Sequence, residues 1–99
     1  RLSQPGEALA VSTERPDDLS ALAIEELDAA CALSWAEMKR ITPWGDTYEG
    51  LTAGGLEVEV ERRYIWAHQP EDAIAIEVEV RLPGTRQGAE ARAVIEPSR

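Results

Sequence analysis

The amino-acid sequence predicts an α+β fold, with an N-terminal helix, bent or divided in two, packed on one face of a four-stranded antiparallel β-meander. Apolar residues recur every three or four positions in the first half of the chain and every second position in the second half. These spacings are typical of an amphipathic helix and of half-buried strands. The 99 residues suit one domain, which we assign to residues 17–96. Residues 1–16 are predicted to be a tail or a short edge strand, and residues 97–99 a tail.

The helical region is predicted to begin near Pro16, because proline suits the first turn of a helix and acidic residues favour the positive end of its dipole. Ser34 and Glu37 have the spacing of a capping box, in which the serine caps a helix and the glutamate reaches back to its amide. Two helices over 17–32 and 35–41 fit this pattern, and so does one continuous helix. Proline then ends the region at position 43.

Four strands should follow, each with one buried face. They are predicted near residues 47–52, 56–66, 74–82 and 89–95. With Trp66 opposite Ile74, apolar side chains of the two long strands share one face. The outward pairs are then Arg63–Glu77, Glu61–Glu79 and Glu59–Arg81. Two of these three pairs join opposite charges, whereas a slip of one residue would place glutamate against valine along the sheet.

The turn after the first strand decides where Tyr48 points. The glycines of Ala53-Gly54-Gly55 are expected to supply positive φ angles for a hairpin turn. A two-residue turn would direct Tyr48 to the outer, acidic face, and a three-residue turn that includes Ala53 would direct it inward. The sequence leaves both open.

The charge balance argues against several classes of partner. Nineteen acidic and ten basic residues give a formal net charge of −9, which disfavours direct binding to nucleic acid or to a membrane surface. Such a charge suits a basic protein partner or a cation, or acts only to keep the protein soluble. No apolar run reaches about 18 residues, and we expect a cytoplasmic location. The sequence opens at Arg1 rather than Met, so the lack of a signal peptide carries little weight here.

The outward face of the predicted sheet carries a set of glutamates that forms a candidate partner-binding surface. These residues are Glu57, Glu59, Glu61, Glu77 and Glu79. The alternative is a solvated face whose charge discourages edge-to-edge aggregation. No metal site is predicted, because glutamates two positions apart on a flat sheet diverge from any single coordination point. No cofactor is predicted either, and the single cysteine, Cys31, is expected to be a buried and inert thiol.

Residues 43–50 read PWGDTYEG and form the most specialised stretch of the chain. They are either a hinge between helix and sheet or part of an aromatic pocket at that junction. The candidate ligand-binding residues are Trp44, Asp46, Tyr48, Glu49, Arg62, Tyr64 and Trp66. Arg62 is the one charged residue at an inward position of its strand. It is expected to mark a bulge or an uncovered margin, to pair with Asp46 or Glu49, or to bind an anionic ligand.

No catalytic residues are predicted. His68 has no serine or cysteine partner, and the glycines at 54 and 55 belong to a turn rather than to a phosphate loop. We therefore expect a non-catalytic protein–protein interaction module, with a small-ligand-binding domain as the alternative, and the composition is typical of a bacterial protein. One helix covers about two of four strands, so a homodimer or the segment around Leu9 and Val11 should cover the remainder.

Overall fold

The computed structural model describes residues 14–97, with side chains from residue 18 onward. Two helices precede four strands: α1 (Glu14–Ala30), α2 (Trp35–Ile41), β1 (Trp44–Leu51), β2 (Glu57–Trp66), β3 (Ile74–Arg81) and β4 (Gly88–Ile95). The strands form one antiparallel sheet in the order β1-β2-β3-β4. The predicted α+β meander is confirmed. No helix within residues 14–97 has the length and apolar character needed to cross a membrane.

The helical region is divided in two, as the capping box allowed. The Glu37 backbone N–H donates to Oγ of Ser34 at 3.2 Å, and the Ser34 N–H donates to Oε1 of Glu37 at 2.9 Å. These hydrogen bonds lower the pKa of the Glu37 carboxyl, and the bond from the Ser34 backbone has the largest effect. A reciprocal cap satisfies two N–H groups that would otherwise lack acceptors at the start of α2.

Helix α1 begins at Glu14, a few residues before the predicted start. Proline is compatible with this because the first N–H groups of a helix have no partner within the helix. The assignment of residues 14–16 to a tail or edge strand is therefore wrong, whereas its remaining part, residues 1–13, lies outside the described residues.

The register of the two long strands is confirmed. Trp66 lies opposite Ile74, and Arg63 lies opposite Glu77. Strand β1 begins earlier than predicted, because Trp44, Gly45 and Asp46 already pair with the end of β2. Residues 44–50 of the PWGDTYEG stretch are therefore strand, not a hinge loop.

The turn between β1 and β2 has three residues. The Thr52 N–H donates to the Leu56 carbonyl at 3.0 Å, which leaves Ala53, Gly54 and Gly55 as the turn, and Tyr48 points inward. Gly55 has a φ of 88°, whereas the expected positive φ at Gly54 is wrong. A Cβ atom at Gly54 would instead lie 2.6 Å from the Asp18 carboxylate.

The core lies between the helices and the inner face of the sheet, and α1 packs on β3 and β4. One cluster joins α1 to the middle of the sheet through Leu19, Leu22, Ala23, Val58, Val60, Val78 and Val80. A second cluster joins the end of α1 and α2 to the other end of the sheet through Ala30, Met38, Tyr64, Ile74 and Ile76. Cys31 packs against this second cluster but is only partly buried, so the expectation of full burial is wrong. Because α1 lies over β3 and β4, β1 sits at the margin of the helical layer.

Candidate interaction surface at strand β1

Strand β1 has an open edge with respect to residues 14–97. Thr52 directs its N–H toward β2. Because backbone groups alternate in direction along a strand, the even-numbered residues of β1 also direct their N–H and C=O groups toward β2. The odd-numbered residues Gly45, Thr47, Glu49 and Leu51 direct their N–H and C=O groups away from the sheet. In agreement, the Thr47 N–H donates to the carboxylate of Asp46 at 2.9 Å. No strand within residues 14–97 pairs with this edge.

Exposed apolar side chains concentrate at this strand. Five large hydrophobic residues are exposed in the described part of the chain, and three of them lie on β1 or shortly before it: Ile41, Trp44 and Leu51. Leu51 is 62% exposed and Trp44 is 38% exposed. The other two are Ile24 on α1 and Val94 on β4. An open backbone edge therefore coincides with uncovered apolar surface.

An aromatic–arginine row lies on the inner side of the sheet and is formed by Trp44 and Tyr48 of β1 with Arg62 of β2. The Arg62 guanidinium carbon lies 6.0 Å from the centroid of the Trp44 ring and 5.7 Å from that of the Tyr48 ring. At such distances the π-electrons of the rings attract the cation. Trp44 also lies 5.7 Å from the ring of Tyr64, whose hydroxyl donates to the Ala30 carbonyl at 3.1 Å. The row is thus continuous with the core.

Arg62 lacks the predicted carboxylate partner. It lies opposite Asp46 in the β1–β2 register, but the Asp46 carboxylate accepts from Thr47, and Glu49 points to the outer face opposite Glu59. Pairing of Arg62 with either acid is therefore wrong. Its Nε is buried and has no hydrogen-bond acceptor among the described residues. The two rings compensate for part of the hydration that the guanidinium has lost.

Tyr48 joins β1 to the helical layer. Its hydroxyl donates a hydrogen bond to the Glu26 carboxylate on α1. Burial, and then this hydrogen bond to Glu26, raise the pKa of Tyr48 to about 12. Tyr48 is therefore a neutral hydrogen-bond donor at physiological pH.

The predicted glutamate surface is largely paired within the molecule. Arg81 contacts Glu59, Glu61 and Glu79, at 2.9, 3.2 and 2.6 Å. Arg63 contacts Glu61 at 2.8 Å and Glu77 at 2.9 Å, and Arg92 contacts Glu77 at 3.2 Å. Hydrogen bonds from arginines lower the pKa values of Glu61 and Glu77. Those from Arg63 have the largest effect on both carboxyls, while Arg81 adds to the effect on Glu61 and Arg92 to that on Glu77. Of the five predicted glutamates, Glu57 alone has no ion pair among the described side chains.

The seven predicted ligand-binding residues are only partly brought together. Trp44, Tyr48, Arg62 and Tyr64 form one continuous set of contacts, in which Tyr64 is buried in the second core cluster. Asp46 lies opposite Arg62, but its carboxylate accepts from the Thr47 N–H. Glu49 faces the opposite side of the sheet, and Trp66 packs on the second core cluster at the C-terminal end of β2. They do not all line one pocket.

An open depression of about 650 Å³ lies beside β1, and its lining includes Glu49, Leu51, Glu57 and Pro83 but neither Trp44 nor Arg62. Leu51 was not among the predicted site residues, since alternation alone does not distinguish exposed from covered positions. Glu26 was not predicted either, because its contact with β1 spans 22 positions.

The chemical groups at this surface are ones that can bind a partner. No group of three or more histidine, cysteine, aspartate or glutamate side chains within the described residues is arranged to hold a metal ion. The surface offers backbone hydrogen-bonding groups, aromatic rings, the Arg62 guanidinium and the carboxylates of Glu49 and Glu57, which have no ion pair among the described side chains. Comparisons of the chain with protein-family models, with curated proteins and with solved structures found no match.

Proposed function

We propose that the protein is a non-catalytic protein–protein interaction module that binds an extended segment of a protein chain along the open edge of β1. The observation that carries the proposal is the coincidence of that edge with the exposed side chains of Trp44 and Leu51. Natural proteins commonly protect an edge strand with lysine, proline or a bulge. Strand β1 contains neither lysine nor proline, and its pairing with β2 is uninterrupted.

The residue types at this surface also support the proposal. Tryptophan, tyrosine and arginine contribute disproportionately to protein–protein binding energy, and all three form the aromatic–arginine row. In strand addition, backbone hydrogen bonds supply affinity, while alternate side chains supply specificity. A segment paired with β1 would place every second side chain beside this row.

The charge of the partner is a separate part of the proposal. The expectation of a basic partner rests on the net charge of −9 and on Glu49 and Glu57, which have no ion pair among the described side chains. The paired carboxylates of β2 and β3 contribute less, because their arginines already neutralise them. A cytoplasmic location and a bacterial origin also remain proposals, which rest on composition.

Affinity capture with matched variants tests the proposal. Leu51→Lys adds a charge at an exposed position of the β1 edge, and Val94→Lys makes the same change at an exposed position of β4, the other edge strand. We expect a discrete protein partner to be retained by the wild type and by Val94→Lys, and lost by Leu51→Lys and Trp44→Ala. Equal retention by all four proteins, each shown to be folded by circular dichroism, would contradict binding at β1.

A second candidate function is the binding of a small anionic ligand at the aromatic–arginine row. The observation that favours it is the buried Nε of Arg62, which lacks an acceptor among the described residues. A carboxylate could accept hydrogen bonds from the guanidinium. A thermal-shift screen with small carboxylates and phosphates should then give stabilisation of several degrees, abolished in Arg62→Met. No shift with any such compound, together with partner capture by the wild type, would leave the interaction module as the function.

A further inference from the structure

We infer that the protein segment bound at β1 is the β1 strand of a second copy of this chain, paired antiparallel about a two-fold axis at Tyr48. The inference rests on the proposed strand addition at β1, because it names the occupant of the same edge. That occupant carries a formal charge of −9, so the inference replaces the expectation of a basic partner at β1. It differs from a general expectation of dimerisation in that the sequence of β1 selects one register.

The backbone limits the registers that such a pair can adopt. The odd-numbered residues of β1 direct their N–H and C=O groups outward, so odd-numbered residues must lie opposite odd-numbered residues of the second copy. Each such pair then exchanges two hydrogen bonds, and the Thr47 N–H, which donates to Asp46 within the single chain, changes its acceptor. The two-fold axis must therefore pass through a residue of the strand rather than between two residues. The possible positions of the axis differ in which side chains they place opposite each other.

Charge and side-chain size favour the axis at Tyr48. This axis places Thr47 opposite Glu49 and Gly45 opposite Leu51, and each of these pairs occurs twice. The exposed Leu51 side chain thus covers a residue that has no side chain of its own, and beside it lies the aliphatic part of Arg63, whose Cγ would be 3.4 Å from a Cβ atom at Gly45. No carboxylate lies directly opposite another carboxylate.

Neighbouring registers are less favourable for identifiable reasons. An axis at Asp46 places the two Asp46 carboxylates directly opposite each other, and an axis at Glu49 does the same for Glu49. Like charges at directly opposite positions destabilise a strand pair. An axis at Thr47 places Leu51 opposite Pro43, which has no N–H to donate, and so pairs fewer residues. The axis at Tyr48 uses all four outward-directed residues of β1.

On the inner side, the same register brings the two Tyr48 rings opposite each other at the axis. Such non-hydrogen-bonded pairs have the closer spacing, which suits aromatic contacts. The result is one continuous eight-stranded sheet, since each copy contributes four strands, with both aromatic–arginine rows at its centre.

Net charge predicts how this dimer responds to salt. Each copy carries a formal charge of −9, so the two copies repel each other at low ionic strength. Screening weakens that repulsion, and dimerisation should therefore strengthen as salt is raised. Binding of a basic protein would show the opposite dependence, since salt weakens attraction between opposite charges.

Two measurements on the full chain test the inference. Light scattering at micromolar concentrations should give twice the 10.9 kDa chain mass for the wild type and Val94→Lys, with the dimer fraction rising between about 20 mM and about 500 mM salt. Leu51→Lys should be monomeric. If the wild type is a monomer at every salt concentration, the inference is overturned. If Leu51→Lys then still abolishes the capture of a different protein, the proposed function stands without the homodimer.

Disulfide trapping tests the register. In a Cys31→Ala background, Thr47→Cys and Glu49→Cys proteins are oxidised separately and as a mixture. With the axis at Tyr48 these positions face each other in a hydrogen-bonded pair, with Cα atoms about 5.5 Å apart, within disulfide range. We expect cross-linking in the mixture only. Thr47→Cys cross-linking with itself would place the axis at Thr47, and Glu49→Cys cross-linking with itself would place it at Glu49. Either result would overturn the register.

The segment 1–13 is the remaining alternative occupant, and deletion distinguishes it. If this segment covers the edge, the full chain is a monomer whose Glu49 and Leu51 amides resist hydrogen exchange, and deletion of residues 1–13 removes that protection. That result would overturn both the inference and the proposed function. A chain without residues 1–13 that still dimerises through Leu51 would support both.

Discussion

The Tyr48 hydroxyl on β1 donates a hydrogen bond to the Glu26 carboxylate on α1, and so connects the edge strand to a helix that lies over the opposite half of the sheet. This contact explains how a strand at the margin of the helical layer keeps its inner side chains in place. It also fixes one end of the aromatic–arginine row, since the Tyr48 ring bounds the Arg62 guanidinium on one side.

Removing this hydroxyl should destabilise the protein in a pH-dependent way. Tyr48→Phe should lower the free energy of unfolding by about 1 to 2 kcal/mol at pH 8, because the acceptor is charged. The folded-state pKa of about 12 lies above the ordinary value of 10.0, so the neutral phenol is the favoured form. The contribution is therefore complete below pH 10 and disappears as the pH approaches 12. Urea unfolding at pH 8, 9 and 11 measures it.

Tyr64→Phe is the control for this prediction, because the Tyr64 hydroxyl donates to a neutral backbone carbonyl. We expect Tyr48→Phe to be the more destabilising change at pH 8. If the free energies of unfolding of the wild type and Tyr48→Phe differ by the same amount at all three pH values, the hydrogen bond from the neutral Tyr48 hydroxyl to Glu26 is not the cause.

Replacing Arg62 by an apolar residue should not destabilise the fold. Arg62→Met removes a buried Nε that has no acceptor among the described residues, and it keeps an extended apolar side chain. We expect the free energy of unfolding to be unchanged or raised by up to about 1 kcal/mol. Arg63→Met, one residue further along the same strand, removes ion pairs to Glu61 and Glu77, and should lower stability by less than about 1 kcal/mol. Chemical unfolding of both variants makes the comparison.

The two arginine variants also separate stability from binding. If Arg62→Met is as stable as the wild type yet captures less partner or forms less dimer, Arg62 serves binding rather than folding. A marked loss of stability in Arg62→Met would instead indicate an acceptor for Arg62 outside the described residues.

The fold followed from the sequence wherever local chemistry and strand alternation agreed. The division between α1 and α2 was encoded in Ser34 and Glu37, and the register of β2 and β3 in the pairing of Arg63 with Glu77. Both depend on residues whose spacing already determines their contact. The start of β1 was not predictable in this way, since Trp44 enters the sheet only because β2 is long enough to pair with it.

The candidate site was less predictable for a related reason. Periodicity identifies which face of a strand is buried but not how far a helix lies across the sheet. The position of α1 over β3 and β4 leaves Leu51 and Trp44 exposed, and no local pattern around either residue shows this. The environment of Arg62 likewise depends on two rings that β1 brings beside it.

The ion pairs of the outer face predict a loss of stability in acid. The pKa values of Glu61 and Glu77 are lowered, chiefly by hydrogen bonds from Arg63, so their contribution is present above the ordinary value of 4.5 and is lost as pH falls through the lowered values. We expect Glu77→Gln to lose less stability than the wild type between pH 5 and about 2.5. Glu57→Gln, at a position with no ion pair among the described side chains, should follow the wild type. Equal pH profiles for all three proteins would contradict a role for these pairs.

Cys31 should react slowly with thiol reagents despite its partial exposure. Burial, and to a smaller extent the charge of Asp28, raise the pKa of the thiol above its usual value of 9.0, and only the thiolate reacts. Labelling of the native protein at pH 8 should be several-fold slower than labelling in urea. Equal rates would show that the end of α1 opens readily. Asp28→Asn should accelerate the native reaction slightly.

Helix α1 precedes the sheet in the chain yet packs on β3 and β4, the strands that come last. Synthesis on the ribosome therefore produces this helix before its packing partners exist. Neighbouring strands can pair as they emerge, but the apolar face of α1, with Leu19, Leu22 and Ala23, stays partly uncovered until β4 is complete. Docking of the first helix on the last strand is then the step with the longest loop to close, and we expect it to limit the folding rate. A chain interrupted before β4 would present that apolar stripe to chaperones.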